Sequence, residues 1–214
     1  MFSVAIDGPS GAGKSTISKT IAKKLGFIYV DTGALYRVIG LHFLETGKLG
    51  LDNLKVGMEH VDGEQRVFMN GRDVSDDIRR HEVSKASSDC SKLPEVRAFL
   101  LDMQRDMAKR YDVIMDGRDV GTVVLPDANV KIFLTATDND RARRRYEELI
   151  ARGGDAPGYD TVLRDIRERD RQDAERDIAP LKPAADAITL DTSGNTFEES
   201  VGLLEGIVRE KLGL

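Results

Sequence analysis

Gly8-Pro9-Ser10-Gly11-Ala12-Gly13-Lys14-Ser15-Thr16 fits the spacing G-x-x-x-x-G-K-[ST] without a gap, and each residue type in it suits phosphate chemistry. The glycines reach backbone dihedrals closed to other residues, so successive N–H groups can turn toward one anion. Lys14 supplies a mobile cation for outer phosphates. Ser15 offers a hydroxyl to a divalent metal, and Thr16 carries the chain into a helix whose positive end also faces the anion. Small residues alone can make an ordinary turn, so the flanks matter. Phe2-Ser3-Val4-Ala5-Ile6 reads as a buried strand ending at Asp7. Ile17, Ile21, Ala22 and Leu25 then fall at helical spacing, and Gly26 stands where a helix stops. Strand, loop and helix together predict a nucleotide-phosphate site.

Phosphoryl transfer depends on positioning and charge neutralisation more than on covalent chemistry. Arginines near the loop are therefore the next signal. Arg37 follows Asp31-Thr32-Gly33, and Arg118 follows a strand ending at Asp116. Two further sets are Arg141-Ala142-Arg143-Arg144-Arg145 and the run from Arg164 to Arg176, which includes Arg169. Both runs fit a solvated, ion-paired helix face. Across a Gly/Pro-rich turn (153–158) they equally suit a lid closing over phosphates. Asp116 resembles a carboxylate that organises Mg²⁺ directly or through water, and a structural strand-end aspartate is the other reading.

The elements that must hold these groups alternate. Phe27–Val30, Asp112–Asp116, Val130–Leu134 and Ala187–Asp191 read as further short buried strands separated by helical stretches, with Thr32 placed to cap one of the helices. This predicts an α/β fold, an open parallel sheet of five strands with helices on both faces and ligands at the carboxyl ends of the strands. Asp7, Asp31, Asp116 and Arg118 then share one rim. Asn70-Gly71 between short strands signals an antiparallel hairpin that interrupts the alternation. It predicts a single domain with its core at about 1–36, 109–137 and 177–214, an insertion at about 37–108 and a helical arm at about 138–176.

The 214 residues carry a net charge of −5, which argues against broad nucleic-acid binding. Cys90 is the only cysteine, which excludes an internal disulfide, and His42, His60 and His81 make no short-spaced ligand pair. No apolar run nears the ~18 residues of a membrane span, and the first residues lack a signal-peptide pattern. A cytoplasmic monomer acting on small molecules is expected.

The motifs then become specific. Ile6-Asp7-Gly8-Pro9-Ser10-Gly11-Ala12-Gly13-Lys14, Asp31-Thr32-Gly33-Ala34-Leu35-Tyr36-Arg37, Asp116-Gly117-Arg118-Asp119-Val120-Gly121-Thr122, Pro126-Asp127-Ala128, Glu168-Arg169-Asp170 and Ala179-Pro180-Leu181 look like bacterial cytidylate kinase, in that family's order over nearly the whole chain. The resemblance implies a P-loop fold of three layers, with an enlarged monophosphate-binding region carrying a small antiparallel sheet and a helical lid arm. It implies ATP, with Mg²⁺, on Gly8–Thr16, with Ser15 and Asp116 at the metal. Ser88, Arg97 and Asp119 would read cytosine, Arg37, Arg118 and Arg169 would hold the CMP phosphate, Asp173, with Arg169, would contact the sugar, and Thr32 and Asp116 would line the acceptor site. Arg176 would meet the transferring phosphates, making Lys14, Arg118, Arg169 and Arg176 the catalytic set.

The base chemistry agrees. A carboxylate accepting from the exocyclic amine and an arginine donating to ring acceptors complement cytosine, whereas uracil would set a carbonyl against the carboxylate. Competing readings are another small-molecule kinase, for UMP, shikimate or dephospho-coenzyme A, or a nucleotide switch. A GTPase would carry an N-K-x-D guanine reader, and the chain has none.

Overall fold

The computed structural model describes residues 1–61, 63–153 and 157–214. Among these, β1 (Ser3–Asp7), β2 (Ile28–Asp31), β6 (Val113–Gly117), β7 (Val130–Thr135) and β8 (Ile188–Asp191) form a parallel sheet in the order β2-β6-β1-β7-β8. Val4, Ala5 and Ile6 of β1 and Val113, Ile114 and Met115 of β6 are fully buried. A parallel sheet covered on both faces needs such unbroken apolar runs. On one face α1 (Lys14–Leu25) and α7 (Phe197–Leu212) set Ile17, Ile21, Val201, Leu204 and Val208 against Ile6, Ile114 and Leu134. On the other, Ala5, Val30 and Met115 pack with Val120, Val124 and with Leu101 and Met107 of α4 (Pro94–Arg110). The α/β architecture expected from the alternating pattern is the observed one.

β2 runs into α2 (Thr32–Thr46) without a loop. Asp31, not Thr32, is the N-cap: its backbone is extended and its side chain accepts from Ala34 N–H. Thr32 is already helical, which frees its hydroxyl to donate to the Asp116 carbonyl at 2.8 Å. One residue thus starts the helix, and the next ties that start to the end of β6.

Between α2 and β6 lie β3 (Val56–Val61), β4 (Glu64–Met69) and β5 (Arg72–Asp73), an antiparallel sheet, followed by α3 (His81–Cys90) and α4. The Asn70-Gly71 turn joins β4 to β5 with both residues at positive φ, 52° and 83°, as this hairpin type requires. β3 was not expected, because its residues are only half-buried or exposed and form no apolar run. Val67, Met69, Ile78, Val83, Val96 and Leu100 form a core with Leu35, Val38 and Ile39 of α2. Here α2 and α3 cross so closely that a Cβ on Gly40 would lie 2.7 Å from the Ser87 backbone nitrogen.

Between β7 and β8 stand α5 (Asp138–Arg152) and α6 (Tyr159–Glu175), joined through Ala142, Val162 and Ile166. α6 begins directly after Gly158, its N-cap. Of the turn cluster at 153–158, Gly154, Asp155 and Ala156 lie outside the described residues. No helix of the described residues is long and apolar enough to cross a membrane.

Candidate active site

The loop after β1, the carboxyl ends of β2 and β6, the start of α1 and of α2, and one side each of α3, α4, α5 and α6 line a cavity of about 600 Å³. Ser10 to Thr16 line it together with Thr32, Arg37, Ser88, Arg97, Asp116, Arg118, Asp119, Arg169, Asp173 and Arg176. Gly8 and Pro9 do not face it and serve the loop's backbone instead. A Cβ on Gly8 would fall 2.0 Å from the Leu134 carbonyl oxygen at φ +151°, so only glycine fits between β1 and β7.

Lys14 is buried, and its ammonium donates to the Pro9 carbonyl at 2.7 Å. Burial foremost, then repulsion from Arg118, holds its pKa well below the usual lysine range, against the pull of Asp116 and Asp7. Ser15 Oγ donates to Asp116 Oδ2 at 2.9 Å and the Tyr29 hydroxyl to Asp116 Oδ1 at 2.8 Å. Desolvation and the nearby Asp31 raise the Asp116 pKa. A desolvated carboxylate in contact with a serine hydroxyl is an oxygen donor set suited to Mg²⁺, which takes few protein ligands when substrate phosphates complete its shell. Ser15 and Asp116 fit that ion.

Asp7 ends β1. It accepts from Val120 N–H and Gly121 N–H, each at 2.7 Å, and so fastens the wide helical turn Val120–Val124 to the centre of the sheet. Burial outweighs those two bonds and pushes its pKa up to about 6. The residues just before that turn, Arg118 and Asp119, are thereby fixed.

The rim opposite the phosphate loop is cationic. Arg118 Nε donates to Asp173 Oδ2 at 2.9 Å. Arg37 stands 3.7 Å from Asp31 Oδ2, which also faces Arg79 at 3.4 Å. Arg169 has a buried Nε without a partner among the described residues. Burial first, then Arg118, lowers its pKa to about 10. Arg37 and Arg118 both repel Arg169, and Arg118 repels Arg37, while Asp31 attracts Arg37 and Asp173 attracts both Arg118 and Arg169. Such a cluster of arginines favours an anion with several oxygens.

Deeper in the cavity, Asp119 receives the Arg97 guanidinium on Oδ2 and Arg176 on Oδ1 at 3.4 Å. Arg97 lies 5.6 Å from the centre of the Tyr36 ring. On α3 and at its C-cap, Ser87 Oγ donates to the Ser84 carbonyl and Ser91 Oγ to the Ser88 carbonyl, whereas Ser88 Oγ is buried without a partner among the described residues. Of the adjacent serines 87 and 88, the second therefore has an unused hydroxyl.

The two arginine runs divide between the readings open from sequence. Arg143, Arg167 and Arg171 pair with Asp140, Asp138 and Glu168 on the surface. Arg145, Arg169 and Arg176 face the cavity. Sequence reasoning also missed Tyr29, Tyr36, Gln65 and Arg79 as lining residues. Gln65 is the plainest case: its side-chain amide bonds both the N–H and the carbonyl of Asp31, docking β4 on the edge of β2. Nothing in local spacing signals such a contact.

Comparison with known proteins sets this site in context. The family described as "Cytidylate kinase" matches residues 4–210. A cytidylate kinase from Caldicellulosiruptor saccharolyticus is 50% identical over 207 residues, covering 92% of this chain and 91% of that one. One from Carboxydothermus hydrogenoformans is 45% identical, covering 97% of each. Among solved structures, a shikimate kinase from Bacteroides thetaiotaomicron superposes with a TM-score of 0.52 at 14% identity over 100% of this chain and 99% of that one, a likeness of fold alone.

Proposed function

The chain belongs to the cytidylate kinase family, and from that premise we propose how its own residues move a phosphoryl group from ATP to CMP or dCMP. ATP lies on Ser10–Thr16, and the acceptor occupies the opposite rim. Arg37, Arg118 and Arg169 hold the CMP phosphate, Asp173 contacts the sugar, and Ser88, Arg97 and Asp119 read the base. The observation that carries this reading is the cationic cluster of Arg37, Arg118 and Arg169 between the phosphate loop and the Arg97–Asp119 pair.

The attacking atom is a phosphate oxygen of CMP, already anionic, so the step needs no general base. The β–γ bridge of ATP breaks as the new P–O bond forms, and the electron pair leaves with ADP. Lys14, Arg118, Arg169 and Arg176 neutralise charge as the group passes. Ser15 and Asp116 are the groups that would hold Mg²⁺, directly or through water, and the ion would supply further charge neutralisation there. All the groups named come from one chain, so the reading needs no second subunit; the form we propose is the cytoplasmic monomer expected from the sequence. The arm at 138–176 and the region at 37–108 would close around the two nucleotides to exclude water.

The test is ADP release over CMP, dCMP, UMP and shikimate. Turnover confined to the cytosine nucleotides is expected, and equal turnover of UMP would remove the base-reading assignment.

A further inference from the structure

Asp170 and Arg141 lie outside the cavity lining, yet both hold the phosphate loop. Asp170 Oδ1 accepts from Ser10 N–H at 3.0 Å, and its other oxygen pairs with Arg141. Arg141 is 4% exposed. Its Nη1 also donates to the Ser10 carbonyl at 2.8 Å, and its Nε to the Ala136 carbonyl at 2.9 Å. Three residues on, Arg144 Nη1 donates to the Ala12 carbonyl at 3.3 Å. Gly11 abuts the same helix, where a Cβ would lie 2.7 Å from the Arg141 carbonyl oxygen.

These contacts set peptide orientation. A trans peptide points its C=O and N–H in opposite directions, and the described chain has no cis bond. Holding the Ser10 carbonyl outward turns the Gly11 N–H inward, and holding the Ala12 carbonyl outward turns the Gly13 N–H inward. The arginines of α5 therefore orient the amides that face the donor phosphates.

α6 adds a second consequence. Asp170 touches the loop, while Arg169 beside it and Asp173 three residues on both face the cavity. We propose that Asp170 and Arg141 are a positioning pair that presets the phosphate loop and couples its occupancy to the acceptor site through α6. This inference rests on the donor and acceptor sides assigned above.

The test is calorimetric titration with a non-hydrolysable ATP analogue and with CMP, each alone and in the presence of the other. In the wild type each ligand should tighten the other by one common factor, since coupling is reciprocal. Failure of either ligand to bind the wild type would overturn the assigned sides, not the positioning role. In Asp170→Asn the analogue alone should weaken about tenfold, ~1.4 kcal/mol. CMP alone should stay within about twofold, and the coupling factor should fall toward one. Arg141→Lys keeps the charge but loses the planar fork, and it should lose the coupling in the same way. Wild-type coupling in both variants would overturn the proposal. So would equal weakening of both ligands alone, which marks a general loss of the arm.

Discussion

Arg97 and Asp119 are paired while both are more than nine-tenths buried. Arg97 comes from α4 and Asp119 from the segment after β6, so the pair bolts the region after α2 to the sheet. A buried pair of this kind gives limited net stability, but loss of one partner costs about 3–5 kcal/mol because the other is left uncompensated. Asp119→Asn should therefore lower the unfolding free energy and raise KM for CMP at least about tenfold, while KM for ATP moves less than about twofold. Steady-state kinetics in both substrates checks the split; equal shifts would make Asp119 a structural residue only.

Ser88 makes the opposite case. Its buried hydroxyl has no partner among the described residues, so Ser88→Ala removes a group left unsatisfied there. Denaturant unfolding should show stability unchanged or slightly raised, within about 1 kcal/mol, while KM for CMP rises by about three- to tenfold from one lost hydrogen bond. A stability loss with unchanged KM would reverse the assignment.

Lys14 combines both features. Its folded-state pKa lies below the unfolded value of 10.5, so in the unfolded chain the amine binds its proton more tightly. Between the two pKa values the native state gains stability as pH rises, and below them the buried charge is a cost. Lys14→Met should reduce kcat by at least about a hundredfold, in the range of losing a preorganised charge, without lowering the melting temperature at pH 7. A thermal melt beside the kinetic assay tests both halves.

Asp7 titrates the other way. Its pKa rises from 3.8 to about 6 on folding, so between those values the native state holds the extra proton and stability falls as pH increases. Two pH units correspond to about 3 kcal/mol. Asp7→Asn has no such ionisation, and its amide meets two backbone N–H groups with only one acceptor. It should be less stable than the wild type at pH 4, and the gap should narrow by about 3 kcal/mol by pH 7. Urea unfolding across that window measures the slope, and a widening gap would contradict the assigned direction.

Gly40→Ala tests how the fold sets the base pocket. The new methyl would sit 2.7 Å from the backbone of Ser87 and force α3 away from α2. A loss of about 1–3 kcal/mol in stability is expected from such overpacking. Because α3 carries Ser88, KM for CMP should rise while KM for ATP does not.

The sheet and the phosphate loop were legible because each depends on local pattern. Val4 to Ile6 and Val113 to Met115 are unbroken apolar runs, and Gly8 to Thr16 has a spacing few other structures require. β3 was not legible, since Val56 to Val61 is half-solvated and gains its order from pairing with β4. The cap of α2 was misplaced by one residue, because Asp31 and Thr32 are both good capping types and only their backbone angles separate them. Within the Arg164–Arg176 run, composition could not tell Arg169, turned into the cavity, from Arg171, paired with Glu168 on the surface. Gln65 and Arg79 reach the site by tertiary docking alone.

Asp7 and Gly117 are cross-strand neighbours in the register of β1 and β6. One is the last residue before the donor loop, and the other immediately precedes Arg118. Adjacent strands lie about 4.8 Å apart, a spacing set by backbone hydrogen bonds and insensitive to side chains. On the proposed reading, the two nucleotides are anchored at the ends of adjacent strands, opposite one another in the register. A displacement of the flanking regions would leave this spacing between the ends of β1 and β6 unchanged.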